Sequence, residues 1–213
     1  MSNREPIIYI VDDDLSVRRA LSLLLKSHGF GVQAFMRAAD FLSFKHPKLP
    51  SCLILDIQLP DINGFALQET MERKKISIPI VFITGHGDIP MSVRGMKAGA
   101  IDFLPKPFTK KKLLSAVTQA ILKNKAQNKE QATISKIKRR IKTLSPREIE
   151  VFRLVAKGML SKQIARKRGT SLQTIKVHRS RVMQKMQAKT VTELIRFAEK
   201  CGIISEVRGS IAR

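Results

Sequence analysis

Short, uninterrupted apolar runs recur between amphipathic stretches over residues 1–122, and this alternation leaves few folds open. Ile7–Val11, Gly31–Phe35, Cys52–Leu55, Ile80–Ile83 and Ile101–Leu104 read as five strands. Between them the spacing is helical: Val17, Ala20, Leu21, Leu24 and Leu25 share one face of a helix. Strands that alternate with helices predict a parallel sheet with right-handed crossovers and helices on both sides. Continuous rather than alternating apolar residues within each strand fit burial on both faces. The expected fold of this part is a five-stranded, doubly wound parallel sheet.

Residues 123–142 are strongly polar and contain no Gly and no Pro, which predicts a basic helical connector. Ile134, Ile137, Ile141 and Leu144 repeat at 3-4-3 spacing. Such a seam suits a dimer coil or packing against the chain's own domain, and its length of under two heptads favours the second. From Ser145 onward only helical signals remain. Ser145-Pro146-Arg147-Glu148 combines an N-cap, a Pro at the first helical position and a capping-box Glu, and opens a helix that should stop at Gly158. Three further helices are expected: Ser161 to Arg168, one capped by Ser171 and running to about Met186, and Val191 to Cys201. The expected organisation is an α/β domain over 1–122, a connector over 123–142, an all-α four-helix domain over 143–204 and a flexible basic tail over 205–213.

Charge separates these parts. The chain carries 40 Lys and Arg against 17 Asp and Glu, a formal net charge of +23. Residues 1–122 hold 16 basic and 11 acidic side chains, 123–142 hold 8 and 1, and 143–213 hold 16 and 5. A polyanionic partner for the C-terminal part follows, because neutralised phosphates release counterions. Solvated surface lysines or attraction to acidic lipid would produce the same composition. Cys52 and Cys201 lie far apart in apolar surroundings, so a disulfide framework is not expected. The apolar run Ile7–Val11 is too short for a signal segment or a membrane span, and a cytoplasmic protein without a membrane partner is expected.

Asp12-Asp13-Asp14 follows the first strand and Asp56 follows the third, while Thr84 ends the fourth and Lys106 follows the fifth. In a doubly wound sheet the C-terminal strand ends line the ligand crevice, so these groups should converge. Clustered carboxylates repel one another unless protonated or bridged by a cation, and Mg²⁺ is the natural hard occupant. The set suits phosphoryl transfer to a carboxylate: Asp56 as nucleophile, a metal ion at the phosphoryl oxygens, and Lys106 balancing charge. An Asp after a strand is also a common helix N-cap, and either Asp13 or Asp14 could fill that role. Lys106-Pro107 is an X-Pro bond at a point where a cis peptide could direct the lysine to the pocket.

Ile10-Val-Asp-Asp-Asp14, the Leu55 to Gly64 stretch, the Ile83 to Met91 stretch and the Lys97 to Phe108 stretch together resemble the receiver domain of two-component response regulators, in its FixJ-like branch. The resemblance covers residues 5–122 and implies a flavodoxin-like fold. It further implies that Asp56 accepts the phosphoryl group, that Asp13, Asp56 and the Gln58 carbonyl bind Mg²⁺ with Asp12 assisting, that Thr84 and Phe103 form a switch pair, and that Lys106 is the family lysine.

In the C-terminal part, the tight Gly169-Thr170-Ser171 turn between the second and third helices fits a helix-turn-helix. Ile175, Val182 and Met186 form one face of the third helix, with Lys176, Arg179, Ser180 and Arg181 spread over the other. An ordinary amphipathic helix would look similar, but the turn, the cap and the regional charge favour DNA recognition. Leu144 to Val151, Lys157 to Ala165 and Thr174 to Met186 resemble the LuxR-type DNA-binding domain over about 143–204. That resemblance implies double-stranded DNA contacts from Gln173, Thr174, Lys176, Val177, His178, Arg179, Ser180, Arg181 and Lys185. Arg168 and Thr170 depart from the Leu and Ile usual at this turn, and an Arg there could reach a phosphate.

Together the resemblances imply a transcription regulator rather than a metabolic enzyme, whose catalysis is limited to its own phosphorylation and slow dephosphorylation. Its implied partners are a sensor histidine kinase, promoter DNA, RNA polymerase and, on phosphorylation, a second copy of itself. A regulator working without phosphorylation, or a phosphate sink, are rival readings. The intact Asp, Thr and Lys argue against the first, and the helix-turn-helix against the second.

Overall fold

The computed structural model describes residues 5–85, 93 and 95–204. The tail 205–213 and the His86 to Met91 portion of the fourth-strand motif lie outside the described residues. The chain divides into two units, residues 1–129 and 130–213.

The first unit is a parallel sheet of β1 (Ile7–Val11), β2 (Gly31–Phe35), β3 (Ser51–Asp56), β4 (Ile80–Thr84) and β5 (Asp102–Pro105), in the order β2-β1-β3-β4-β5. β1, β3 and β4 are buried almost throughout, as their unbroken apolar sequences demand. Side chains on alternating positions feed two separate cores. Ile8, Ile10, Cys52, Ile54, Val81 and Ile83 point to one, where they meet Leu21 and Leu25 of α1 (Leu15–Lys26) and Leu113, Ala116 and Val117 of α4 (Lys110–Ile141). Tyr9, Val11, Leu53, Leu55 and Phe82 point to the other, against Phe41 of α2 (Ala38–Ser43) and Phe65 and Leu67 of α3 (Gly64–Arg73). Each buried Leu, Ile or Phe contributes roughly 1.5–3 kcal/mol, so these two layers hold the sheet's strand ends in fixed register. Of the five apolar residues expected on the first helix, Leu21 and Leu25 are buried, Val17 and Leu24 are half-buried and Ala20 is exposed.

The residues expected as a helical connector, 123–142, are helical to Ile141 and continue α4, which runs unbroken from Lys110 to Ile141. Asn124 fastens it to the first unit: its Oδ1 accepts from the Ser51 N–H at 2.9 Å, and its Nδ2 donates to the Ser77 carbonyl at 2.9 Å. Ile137 and Leu144 of the 3-4-3 seam are buried in the second unit's own core, with Ile141 packed beside them.

That second unit contains α5 (Pro146–Ala156), α6 (Ser161–Arg168), α7 (Leu172–Met186) and α8 (Val191–Lys200). The capping box at Ser145 is formed in both directions, and Gly169 closes α6 at φ 58°, a left-handed conformation that glycine adopts without a Cβ penalty. Among the described residues no helix is long and apolar enough to cross a membrane.

Candidate functional site

The parallel sheet sets the C-terminal ends of β1, β3, β4 and β5 along one edge, and the groups carried there meet. Asp12, Asp13 and Asp56 each offer a carboxylate oxygen within 4.8 Å of the others. Lys106 Nζ donates to Asp56 Oδ2 at 2.7 Å and to Asp12 Oδ2 at 2.9 Å. Thr84 is buried at the same edge, and its carbonyl accepts from the Lys106 N–H at 2.7 Å. The Lys106-Pro107 peptide bond is cis. Phe103, on β5, is half-buried against Phe82, with ring centroids 6.4 Å apart. Gln58 is exposed, and its N–H donates to Asp56 Oδ1 at 3.1 Å.

Local chemistry explains which aspartate does what. Asp14 is the N-cap of α1, its Oδ1 accepting from the N–H of Ser16 at 2.7 Å and of Val17 at 3.4 Å. The Ser16 hydroxyl, then its N–H, holds the Asp14 carboxyl below the usual range. Asp13 is therefore not the cap and stays in the acidic cluster. Asp12 is fully buried, and burial pushes its carboxyl up, opposed by hydrogen bonds from Lys106 and the Asp14 N–H. Burial pulls the Lys106 ammonium down, but hydrogen bonds to Asp56 and Asp12, with their charges, outweigh it and raise it. Three clustered carboxylates, two of them already holding one ammonium, are a donor set for a hard divalent cation.

Three contributors escaped the sequence reading. Arg18 Nη1 donates to the Asp12 carbonyl at 2.7 Å, fixing the first acidic turn. Gly64 leaves no room for a side chain, since an added Cβ would stand 2.7 Å from the Asp56 carbonyl oxygen. Asp61 accepts from the N–H groups of Ala38 and Ala39, across to another element. The Asn63-Gly64 pair before a helical pattern was a local cue to a cap, and Asn63 does cap α3. Nothing local points from Asp61 to α2.

In the second unit, Ile175, Val182 and Met186 turn one face of α7 into the core. Gln173, Thr174, Lys176, Val177, Ser180, Arg181 and Lys185 are exposed, while His178 and Arg179 are half-buried. Three of these nine have side-chain partners inside the unit, Thr174 through its hydroxyl, 2.8 Å from Ser171 Oγ in the α7 cap. Lys185 Nζ donates to Glu148 Oε2 at 2.6 Å, and Arg179 Nη1 to Ser161 Oγ at 3.2 Å. The Lys185 hydrogen bond, followed by that from the Ser145 N–H, holds the Glu148 carboxyl below its ordinary value. Arg168 forms an ion pair with Glu150 of α5, so the charged residue at the turn is tied across two helices. A cleft of about 210 Å³ lies beside it, lined in part by Thr170, Thr174 and His178.

A carboxylate pocket of this kind in one unit and a basic helix-turn-helix in the other define a class, the phosphorylation-responsive transcription regulators. Residues 8–118 match the response regulator receiver domain, and residues 142–198 match the bacterial regulatory proteins of the luxR family. The chain is 45% identical over 202 residues to nodulation protein W of Bradyrhizobium diazoefficiens, covering 95% of this chain and 89% of that protein. It is 39% identical over 205 residues to the transcriptional regulatory protein FixJ of the same species, covering 93% and 97%. A low-resolution structure of the response regulator StyR superposes with a TM-score of 0.79 at 43% identity, covering 92% of this chain and 99% of that one. The chain belongs to the two-component response regulators that join a receiver domain to a LuxR-type DNA-binding domain. Membership implies DNA and a sensor kinase as its partners.

Proposed function

We propose that Asp56 accepts a phosphoryl group from the phosphohistidine of a sensor kinase, and that this controls dimerisation and promoter binding. The observation that supports it is the double hydrogen bond of Lys106 to Asp12 and Asp56, which gathers nucleophile, acid and cation at one strand edge. An Asp56 carboxylate oxygen forms the new bond to phosphorus as the bond from phosphorus to the histidine nitrogen breaks. Lys106, freed from part of its contact with Asp56, balances charge on the transferred group. Asp12, Asp13, Asp56 and the Gln58 carbonyl would hold Mg²⁺, which supplies charge neutralisation at the phosphoryl oxygens. Thr84 turns its hydroxyl to the phosphoryl group and Phe103 moves inward, shifting the face built on β5 and its flanking helices.

On this reading the receiver catalyses only its own phosphorylation and slow dephosphorylation. It comprises residues 1–122, with a connector over 123–142 and DNA binding by 143–204. The phosphorylated dimer places α7 in the major groove of two half-sites and engages RNA polymerase in the cytoplasm. Gln173, Thr174, Lys176, Val177, His178, Ser180 and Arg181 face bases and phosphates, with Arg179 and Lys185 at the margins. Incubation of the full chain with acetyl phosphate and Mg²⁺, followed by a gel shift on selected promoter fragments, tests the scheme. Wild type should gain DNA affinity and Asp56→Asn should not; an equal gain in both rejects it.

A further inference from the structure

We propose that Asp61 is a positioning residue for the metal site, acting as a tether that fixes the loop between Asp56 and α3, which carries Gln58, against α2. The proposal rests on the acidic cluster being a divalent-cation site, as above.

α2 has six residues and cannot hold its own first turn, because a helix so short is unstable alone. Its N-cap residue, Arg37, makes no side-chain cap hydrogen bond. The cap comes from 22 residues away instead: Asp61 Oδ2 accepts from the Ala39 N–H at 3.0 Å and Oδ1 from the Ala38 N–H at 3.4 Å. Burial pushes the Asp61 carboxyl up, but the hydrogen bonds from Ala39, Ala38 and its own loop outweigh that and hold it below the usual range.

Asp61 sits in the loop that leaves Asp56 and carries Gln58. That loop is anchored at its start by the Gln58 N–H on Asp56 Oδ1, and at its end by the Gly64 N–H on the Ile57 carbonyl at 2.9 Å. Leu59 and Ile62 pack on the same core as Phe41 of α2. α2 in turn follows β2, whose last residue, Phe35, accepts from the Asp12 N–H at 3.3 Å. The bonds close a ring: Asp56 to its loop, the loop through Asp61 to α2, α2 to the end of β2, Phe35 to Asp12, and Asp12 through Lys106 back to Asp56. Among the described residues, Asp61 supplies the side-chain hydrogen bonds that join this loop to α2. β1 and β3 stay paired beside Asp12 and Asp56 without them, but the loop that carries Gln58 is then held to α2 by apolar contacts, which fix orientation poorly. Partners that orient metal ligands typically contribute 10–100-fold to affinity.

The test is calorimetric titration of the full chain with Mg²⁺, with Asp61→Ala and Asp61→Asn beside wild type and thermal unfolding recorded for each. Asp61→Ala should bind Mg²⁺ roughly 10-fold more weakly at a temperature where it is fully folded. Asp61→Asn keeps one accepting oxygen, enough for the shorter bond from the Ala39 N–H, and should lose less, staying within about two- to threefold of wild type. Two results overturn the tether: unchanged Mg²⁺ affinity in Asp61→Ala, which leaves only a helix cap, or equal loss in both variants, which makes the effect one of charge. Absence of Mg²⁺ binding by wild type would instead overturn the underlying reading of the acidic cluster, and the tether with it.

Discussion

Gly64 shows how little freedom the residues around Asp56 have. A Cβ at this position would lie 2.7 Å from the Asp56 carbonyl oxygen and 3.0 Å from Ile57 Cα. Both obstacles are main chain, so no rotamer change relieves them and the start of α3 must move away from β3. Gly64→Ala should therefore lose about 1–3 kcal/mol, the usual cost of overpacking a close contact. Urea unfolding followed by circular dichroism checks it: an unchanged midpoint would mean that α3 can shift without cost. The carbonyl concerned belongs to the proposed phosphoacceptor, so the same variant should also take up phosphate from acetyl phosphate more slowly. At this scale the groups at the strand ends were legible in the sequence, and the residues that brace them were not. Asp12, Asp13, Asp56, Thr84 and Lys106 were legible because strand ends of a parallel sheet share one edge. Gly64, Arg18 and Asp61 were not, because their roles depend on which loop lies beside which helix.

Single elements divide along the same line. The strands are placed within a residue or two of the apolar runs, Cys52–Leu55 against Ser51–Asp56 and Ile101–Leu104 against Asp102–Pro105, because burial on both faces writes itself directly into the sequence. The capping box of α5 was equally plain, since Ser145, Pro146 and Glu148 are neighbours. Its further partner was hidden: Lys185 comes from the last turn of α7, 37 positions on, and meets Glu148 only once the helices pack. This pair gives the second unit a predictable acid response. Glu148 has a folded pKa below its unfolded value, so the contribution is present above the ordinary glutamate range near 4.5 and is lost as pH falls through the lower folded value. Lys185→Met should remove about 1 kcal/mol at neutral pH, a figure kept small because Lys185 is 38% exposed and solvent screens the pair. Below the folded glutamate value wild type and variant should converge. Urea midpoints of the second unit measured from pH 7 down to pH 3 test this, and a constant difference between the two proteins would show that Lys185 stabilises by packing rather than charge.

Across the whole molecule, the uneven charge was the earliest sign of a polyanionic partner, and it yields a quantitative expectation that separates two lysines of one helix. DNA affinity should fall with salt on a log–log slope of about −0.9 for each phosphate neutralised. Lys176 is exposed on α7 with its ammonium directed to no partner among the described residues, whereas the Lys185 ammonium is already held by Glu148. Lys176→Met should therefore make the slope shallower by about 1 for every bound chain, and Lys185→Met should change it much less. Because each copy contributes its own α7, the Lys176 effect counts chains on the DNA. A change of about 1 means one chain per site, and a change of about 2 means two, as phosphorylation-driven binding to paired half-sites requires. Fluorescence anisotropy on one promoter fragment at several salt concentrations, with and without acetyl phosphate, measures this directly. If the change in slope for Lys176→Met does not double on phosphorylation, the added phosphoryl group strengthens DNA binding without recruiting a second copy, and dimerisation is not the step that Asp56 controls.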